Sequence, residues 1–248
     1  MQKRKVNIHA IVAWALCISM PTYADLHYAK HPWKGHSLIV VGLDQTDHLS
    51  LVLNDTKQQP YLNFDSAINA QVCSVDFAMN AGMFHADFSP VGLYIENSQT
   101  LKSLNLATKG QGNFLIQPNG VLSWDENSAR ISTTAEYQKA DLKPRYATQS
   151  GPMLVISGKI NPNFIADSDF RKIRNGVGIT DQTLWFVISE DPINFYDFAD
   201  FFRTVLKAKQ ALYLDGGRVP SLYLKQPKIL KQYRFLGPMF IYQQKDHC

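Results

Sequence analysis

Residues 194–217, NFYDFADFFRTVLKAKQALYLDGG, hold the pattern that decides the fold. Apolar side chains recur in the first half of this stretch at spacings of three, four and three, which is typical of one buried face of a helix. These side chains are Phe195, Phe198, Phe202 and Val205. Asn194 is placed to cap the helix, and Asp197 follows three residues later, in a capping-box position. The stretch therefore predicts a helix packed against a core.

A buried strand is predicted directly after this helix. Residues 211–214 are apolar and end abruptly at the DGG of residues 215–217. A carboxylate at a strand end points into the cleft that the loops form, and two glycines allow the backbone to approach a ligand closely. Asp-Gly is also common turn chemistry, so a plain turn is the alternative interpretation.

Most of the remaining chain has the pattern of short strands separated by turns. The predicted strands cover residues 37–43, 49–53, 72–80, 92–96, 113–117, 121–124, 153–156, 177–180 and 184–188. Turn residues predict three hairpins, namely 37–43 with 49–53, 113–117 with 121–124, and 177–180 with 184–188. Apolar and small or polar residues alternate within 72–80, which predicts one buried face. The sequence thus predicts an α+β fold, a single domain with a strand-rich mixed or antiparallel sheet core and a few packed helices.

The chain starts with the cationic segment MQKRK, followed by an apolar stretch over residues 8–20 and by PTYA. This layout is that of a secretory signal peptide, and the apolar stretch is shorter than the roughly 20 residues that span a bilayer. We therefore expect a signal peptide over residues 1–24, a mature domain over residues 25–248 and a periplasmic or secreted location. An uncleaved N-terminal anchor is the alternative. No later segment has the length and apolarity of a membrane span.

The formal net charge of +4 belongs largely to this N-terminal segment. Residues 1–24 contain Lys3, Arg4 and Lys5 and no acidic residue, so their removal leaves +1. A domain this close to neutral gives no electrostatic basis for a nucleic-acid partner or for binding to a membrane surface.

Two cysteines, Cys73 and Cys248, lie in the mature domain. An oxidising compartment permits a disulfide between them, whereas Cys73 also lies in an apolar run where a buried free thiol is common. The sequence leaves both interpretations open. The absence of a CxxC motif argues against a structural zinc site.

Three further segments carry candidate site residues. Residues 80–84, NAGMF, follow a predicted strand, where an Asn can hydrogen-bond sugar hydroxyls or simply shape a loop. Ser150 lacks the G-x-S-x-G context of a hydrolase nucleophile, which favours a loop-shaping role for its segment. Arg174 belongs to a cationic cluster; such charges are usually solvated, but an Arg can also hold a phosphate in a bidentate fork. Its position before a strand predicts that it projects over the same cleft as Asp215.

Together these segments resemble the phosphodiester glycosidase family, whose members include the lysosomal mannose-6-phosphate uncovering enzyme and exported bacterial proteins. The resembling segments are NAGMF at 80–84 with PVG at 90–92, GNF at 112–114, SGP at 150–152, RNGVG at 174–178 and LYLDGG at 212–217. They keep the order of the family and span roughly residues 70–225.

The resemblance implies a hydrolase that acts on a sugar joined through its anomeric carbon to a phosphodiester. In this interpretation Asp215 is the base or nucleophile, Asn80 orients sugar hydroxyls and Arg174 binds the phosphate. The residues implied to contact substrate are Gly82, Phe84, Ser150, Gly151, Gly216 and Gly217. The family usually has small or hydroxyl residues after its DGG, whereas this chain has Arg218, which leaves the exact substrate open.

The expected partner is a sugar-phosphodiester small molecule or an envelope glycan. No organic cofactor is expected, and a divalent metal held by Asp215 is left open because no loop of EF-hand spacing is present. Two other classes remain as alternatives: a non-catalytic protein that binds envelope glycans or sugar phosphates, and a structural component of the envelope.

Overall fold

Strands dominate the fold. The computed structural model describes residues 26–109, 112–181 and 183–243. The strands are β1 (Leu26–Trp33), β2 (His36–Leu43), β3 (Leu49–Val52), β4 (Phe77–Asn80), β5 (Tyr94–Glu96), β6 (Gln99–Lys102), β7 (Gly120–Trp124), β8 (Ala129–Thr133), β9 (Tyr146–Ser150), β10 (Met153–Ile156), β11 (Lys159–Ile160), β12 (Arg174–Ile179), β13 (Leu184–Ser189), β14 (Gln210–Gly216), β15 (Leu222–Leu224), β16 (Ile229–Lys231) and β17 (Met239–Tyr242). The helices are α1 (Phe64–Asn69), α2 (Thr134–Lys139) and α3 (Phe195–Thr204), with a short 3₁₀ helix at Asn113–Leu115.

The strands are arranged in three sheets whose neighbouring strands pair antiparallel. The seven-stranded sheet has the order β1-β2-β13-β12-β14-β10-β11. The β4 sheet has the order β16-β15-β4-β17-β3, and the β9 sheet has the order β6-β5-β9-β7-β8. The predicted α+β fold, strand-rich and formed by a single domain, is confirmed.

A cluster of buried aromatic rings joins the three sheets. Phe186 of β13 lies 5.0 Å from Phe77 of β4 and 5.1 Å from Phe240 of β17, measured between ring centroids. Trp124 of β7 packs 5.7 Å from Phe240. Because each ring comes from a different strand and is buried, the cluster fixes how the sheets sit against one another.

Helix α3 packs on the other face of the seven-stranded sheet, as its aromatic stripe predicts. Phe198 and Phe202 are fully buried in a cluster that includes Leu154 and Ala211. The Asn194 side chain accepts a hydrogen bond of 2.7 Å from the backbone N–H of Asp197. The predicted helix and its cap are therefore confirmed.

The strand predicted over residues 72–80 is shorter and more buried than its alternation indicates. β4 begins only at Phe77, and every residue of it is buried. Met79 contributes to the core between the sheets, whereas Ala78 contributes to a second cluster with Phe64 of α1. Both faces of β4 are therefore covered, one by the core between the sheets and the other by the cluster that includes α1.

Two of the three predicted hairpins are wrong. β2 pairs with β1 and β13, whereas β3 pairs with β17 in the β4 sheet. Asn113–Leu115 is a 3₁₀ helix, and β7 pairs with β8 and β9 instead. Local turn residues therefore do not determine the partners of β2, β3 and β7. The hairpin of β12 and β13 is confirmed.

Cys73 is disulfide-bonded, which removes the interpretation of a free thiol at this position. The candidate partner, Cys248, lies outside the described residues, as does the predicted signal peptide over residues 1–24.

We expect Phe240→Ala to lower the free energy of unfolding by about 3–5 kcal/mol, because it opens a cavity where the sheets meet. Phe240→Leu fills most of that space and should cost clearly less. Urea unfolding of both variants checks this expectation, and equal losses would show that the ring does not fill a tightly packed junction.

Candidate active site

The site forms where strands from all three sheets end side by side. β4 ends at Asn80, β9 ends at Ser150, and β14 carries Asp215 just before its last residue, Gly216. β12 begins at Arg174, which faces Gly216 across the strand pair. Motifs that are far apart in the chain are therefore adjacent in the fold.

Two buried amides connect these strand ends. The Asn80 side-chain oxygen accepts hydrogen bonds from the Asn175 side chain at 2.8 Å and from the Ser221 backbone N–H at 2.9 Å. The Asn175 side-chain oxygen in turn accepts one from the backbone N–H of Asp215 at 3.0 Å. Both amides are fully buried. Asn80 thus orients the backbone around Asp215, and its contact with sugar hydroxyls stays a prediction.

Asp215 has the most perturbed carboxyl of the site. One carboxylate oxygen accepts a 2.7 Å hydrogen bond from the Gly216 N–H. Removal from water raises the pKa of Asp215 to about 7, and the Gly216 hydrogen bond and the charge of Arg234 only partly oppose this rise. A carboxyl that titrates near neutral pH can exchange protons with a reacting group, which is the property expected of a catalytic base.

Arg174 is inside the protein and does not project over a cleft, contrary to the sequence expectation. Its guanidinium is fully buried and lies 3.6 Å from the centre of the Phe195 ring. It donates hydrogen bonds to the carbonyl oxygens of Ile193 and Phe170 and to the Tyr213 hydroxyl. In the sequence, the cationic cluster favours side chains in water. In the fold, Arg174 is buried, because its guanidinium packs on the Phe195 ring and donates to two carbonyl oxygens. Its predicted contact with phosphate stays a prediction.

Ser150 and Gly82 form the contact between the β9 sheet and its neighbours. The Ser150 hydroxyl is buried and donates a 3.0 Å hydrogen bond to the carbonyl oxygen of Leu214. Gly82 has a φ of +120°, and a Cβ there would lie 3.1 Å from the Thr148 hydroxyl. A side chain at position 82 would be strained. These residues shape the site next to Asp215.

The remaining predicted glycines lie around the same strand ends. A side chain at Gly216 would overlap the Tyr213 hydroxyl. The position next to Asp215 therefore has room for glycine only. The N–H of Gly217 donates to the carbonyl oxygen of Ile173 at 2.9 Å. Gly151 lies against the side chain of Asn119.

A cavity of about 750 Å³ is lined by Arg218, which follows the DGG of residues 215–217, and by Arg234, whose charge lowers the pKa of Asp215. The Phe84 ring stacks on Phe88 at 5.9 Å, and the guanidinium carbon of Arg234 lies 6.0 Å from the Phe84 ring centre. Phe88, Arg218 and Arg234 all line the cavity. Arg218 thus lines this cavity, whereas the contact of Phe84 with substrate stays a prediction.

Sequence reasoning missed two residues of this arrangement. Asn175 lies within the RNGVG motif, and its position directly after Arg174 was the available indication. Arg234 follows Tyr233 in a segment without any recognisable motif, so its approach to Asp215 is visible only in the fold.

The described part of the chain contains no group of three or more His, Cys, Asp or Glu side chains that could hold a metal ion. The sequence left open a metal bound by Asp215 with other oxygen ligands. Hydrolysis measured with and without a chelator tests whether a metal takes part.

Comparison with known proteins agrees with the motifs. A sequence model of phosphodiester glycosidases matches residues 74–238. The uncharacterized protein YigE of Escherichia coli strain K12 is 42% identical over 159 residues, which is 64% of this chain. The chain covers 61% of the length of that relative.

Two solved structures share the fold. The catalytic domain of zebrafish N-acetylglucosamine-1-phosphodiester alpha-N-acetylglucosaminidase, auto-inhibited by its pro-peptide, superposes with a TM-score of 0.64 at 12% identity. The match covers 91% of this chain and 86% of the zebrafish chain. A hypothetical protein from Synechocystis matches with a TM-score of 0.56 at 13% identity, over 88% of this chain and 62% of the other.

Asp215→Asn is expected to stabilise the protein, and more so at alkaline pH. The folded-state pKa of Asp215 lies above its value in the unfolded chain, so the contribution of this residue to stability is greatest below about pH 4 and is lost as the pH rises to about 7. The advantage of the variant should grow by about 2–3 kcal/mol between pH 5 and pH 8.

Urea unfolding at both pH values measures this advantage. Asp181→Asn is the matched control, because the side chain of Asp181 is 95% exposed. An advantage of Asp215→Asn that does not change with pH would mean that the Asp215 carboxyl is not desolvated.

Proposed function

This chain belongs to the phosphodiester glycosidase family, and we propose that it is an exported hydrolase that cleaves a sugar-1-phosphodiester in envelope or extracellular glycan metabolism. One observation carries this proposal. Asp215 lies where strands of the three sheets end side by side, and removal from water raises its pKa to about 7. Membership of the family supports a hydrolase activity, and the position of Asp215 supplies the reacting group.

The reaction breaks the bond between the anomeric carbon of the sugar and the ester oxygen of the phosphate. A water oxygen takes the place of that ester oxygen, and the products are the free sugar and a phosphate monoester. One proton of the water stays on the new sugar hydroxyl, and Asp215 accepts the other and passes it to solvent. A phosphate monoester is a good leaving group, which reduces the need for a second carboxyl as general acid.

Asp215 can also act as a nucleophile. The carboxylate then attacks the anomeric carbon and expels the phosphate monoester, and water hydrolyses the resulting glycosyl ester. Either role requires the ionised carboxylate. The hydrogen bond from Gly216 and the amides that hold the backbone of Asp215 keep this group oriented in both cases.

The described residues include no helix that is long and apolar enough to cross a membrane. We place the protein in the periplasm or outside the cell, on the basis of the N-terminal segment of the sequence. The proposed substrate is a sugar-phosphodiester small molecule or an envelope glycan that contains one.

Purified protein incubated with an N-acetylglucosamine 1-phosphodiester should release free sugar. Asp215→Asn should be slower by about 10²- to 10⁴-fold, because it removes the acting base, whereas Asp181→Asn should match wild type. A parallel reaction with chelator decides whether a metal takes part. Release by Asp215→Asn at the wild-type rate would exclude the proposed role, and measurable binding without any release by wild type would favour a non-catalytic binding protein.

The value of kcat/KM should rise with pH and reach half of its plateau near pH 7. The reason is that only ionised Asp215 is active, while the phosphodiester keeps its charge over this range. Initial rates at low substrate concentration between pH 5 and pH 9 measure this profile. Activity that falls across the same range would instead identify Asp215 as a general acid.

A further inference from the structure

A second cavity, of about 360 Å³, lies between the segment after β6, the segment before β7 and helix α2. Its lining residues belong to 105–108, 117–119 and 133–138. None of these described residues is among those assigned above to contact substrate or to act on it. The proposed reaction therefore leaves this cavity without a role.

One buried side chain holds two walls of this cavity together. The Gln149 amide accepts a hydrogen bond of 2.9 Å from the Asn105 N–H and donates one of 2.8 Å to the Asn105 carbonyl oxygen. The same amide donates to the Thr134 hydroxyl at 3.1 Å. Helix α2 starts with a capping box formed by Thr133 and Glu136. The segment after β6 and the start of α2 are thus fixed to each other before any ligand binds.

Two side-chain amides line the cavity just before β7. The Gln117 nitrogen donates a 3.1 Å hydrogen bond to the Asn119 side-chain oxygen. Asn119 is only 2% exposed, and no described group accepts a hydrogen bond from its side-chain nitrogen. The Gln117 side-chain oxygen likewise has no donor within the described ranges. Because a buried polar group without a partner is unfavourable, the pair offers one N–H donor and one C=O acceptor to a ligand.

The character of the lining limits the class of ligand. No described residue that lines the cavity is ionisable, so a charged group would lose its hydration there without gaining an ion pair. None of these residues is aromatic, which leaves a sugar ring without a flat apolar surface to pack on. The apolar part of the lining consists of aliphatic groups, such as Leu106, Pro118 and Ala135. The cavity therefore suits an uncharged ligand that combines an amide with short aliphatic groups.

A peptide unit matches the available hydrogen-bonding groups. Its carbonyl oxygen is an acceptor for the Asn119 N–H, and its N–H is a donor for the Gln117 oxygen. Short side chains such as that of alanine can pack on Leu106 and Pro118. A cavity of about 360 Å³ is within the size range of small-ligand sites.

We propose that this cavity binds a short uncharged peptide with small aliphatic side chains, held through Asn119 and Gln117. The inference goes beyond the proposed hydrolysis, since no step of that reaction uses these residues. It gives the protein a second ligand class, bound while Asp215 stays available to a sugar-phosphodiester.

Titration of the isotope-labelled protein with N-acetyl-alanyl-alanine methylamide, followed by nuclear magnetic resonance, tests this site. The side-chain NH₂ signals of Asn119 should shift saturably, with a dissociation constant of about 1 mM. Ala135→Leu fills the cavity from an exposed position and should weaken binding by at least about tenfold. Ala70→Leu is the matched control, because Ala70 is exposed at the end of α1 and does not line the cavity.

The hydrogen bonds need their own variant. Asn119→Ala removes the N–H donor and should weaken the blocked peptide by about tenfold. Circular dichroism verifies the folding of this variant. If it does not fold, Ala135→Leu still tests the site, because that substitution alters an exposed side chain.

Other ligands decide whether a peptide is the right class. N-acetylglucosamine carries an amide on a sugar ring, and unblocked alanyl-alanine carries two charges, so both should bind more weakly than the blocked peptide. Tighter binding of N-acetylglucosamine, a titration without saturation, or equal binding by wild type and Ala135→Leu would overturn the proposal.

A failure of the proposed function would look different. Wild type and Asp215→Asn would then bind the blocked peptide equally, although no sugar is released from any phosphodiester. Loss of peptide binding in Asp215→Asn would instead place the ligand in the candidate active site and contradict a separate peptide site.

Discussion

The buried amide pair of Asn80 and Asn175 is the constraint on which the site depends. It links the end of β4, the start of β12 and the backbone of Asp215 on β14. Because both amides are removed from water, each lost partner would leave an unpaired polar group in the interior. Displacement of one strand end would therefore break hydrogen bonds at the other strand ends and lower the stability of the fold. The amide pair thus fixes the β4 sheet against the seven-stranded sheet next to the Asp215 carboxyl.

The same packing makes the ionised carboxylate of Asp215 unfavourable for the stability of the fold. A carboxylate removed from water is disfavoured, and the single hydrogen bond from Gly216 does not compensate for its lost hydration. Residues that perturb stability in this way are common at functional sites. The aromatic junction of Phe77, Phe186 and Phe240 supplies apolar burial nearby, and it offsets part of the cost of the buried acid.

Spacing and turn residues predict those elements of the fold that depend on neighbouring residues in the chain. The α3 cap, the β12–β13 hairpin and the strand that carries Asp215 all follow from spacing and turn residues. The pairing of β3 with β17 does not, since it joins residues from opposite ends of the chain, such as Leu49 and Tyr242. The burial of Arg174 cannot be predicted from the sequence either. A cationic cluster has the same sequence pattern whether its side chains contact water or an aromatic ring. Arg234 reaches Asp215 only through the return of the chain after β16.

The two classes of arginine in this molecule show why position, and not residue type, determines their chemistry. Arg174 has its donors committed to the carbonyl oxygens of Phe170 and Ile193 and to Tyr213. Such a cation is fixed before any substrate arrives, and it stabilises the elements around Asp215. Arg234 is exposed, and its charge lowers the pKa of Asp215. The arginine within a motif therefore holds the structure around the site, whereas the arginine outside any motif affects the ionisation of its carboxyl.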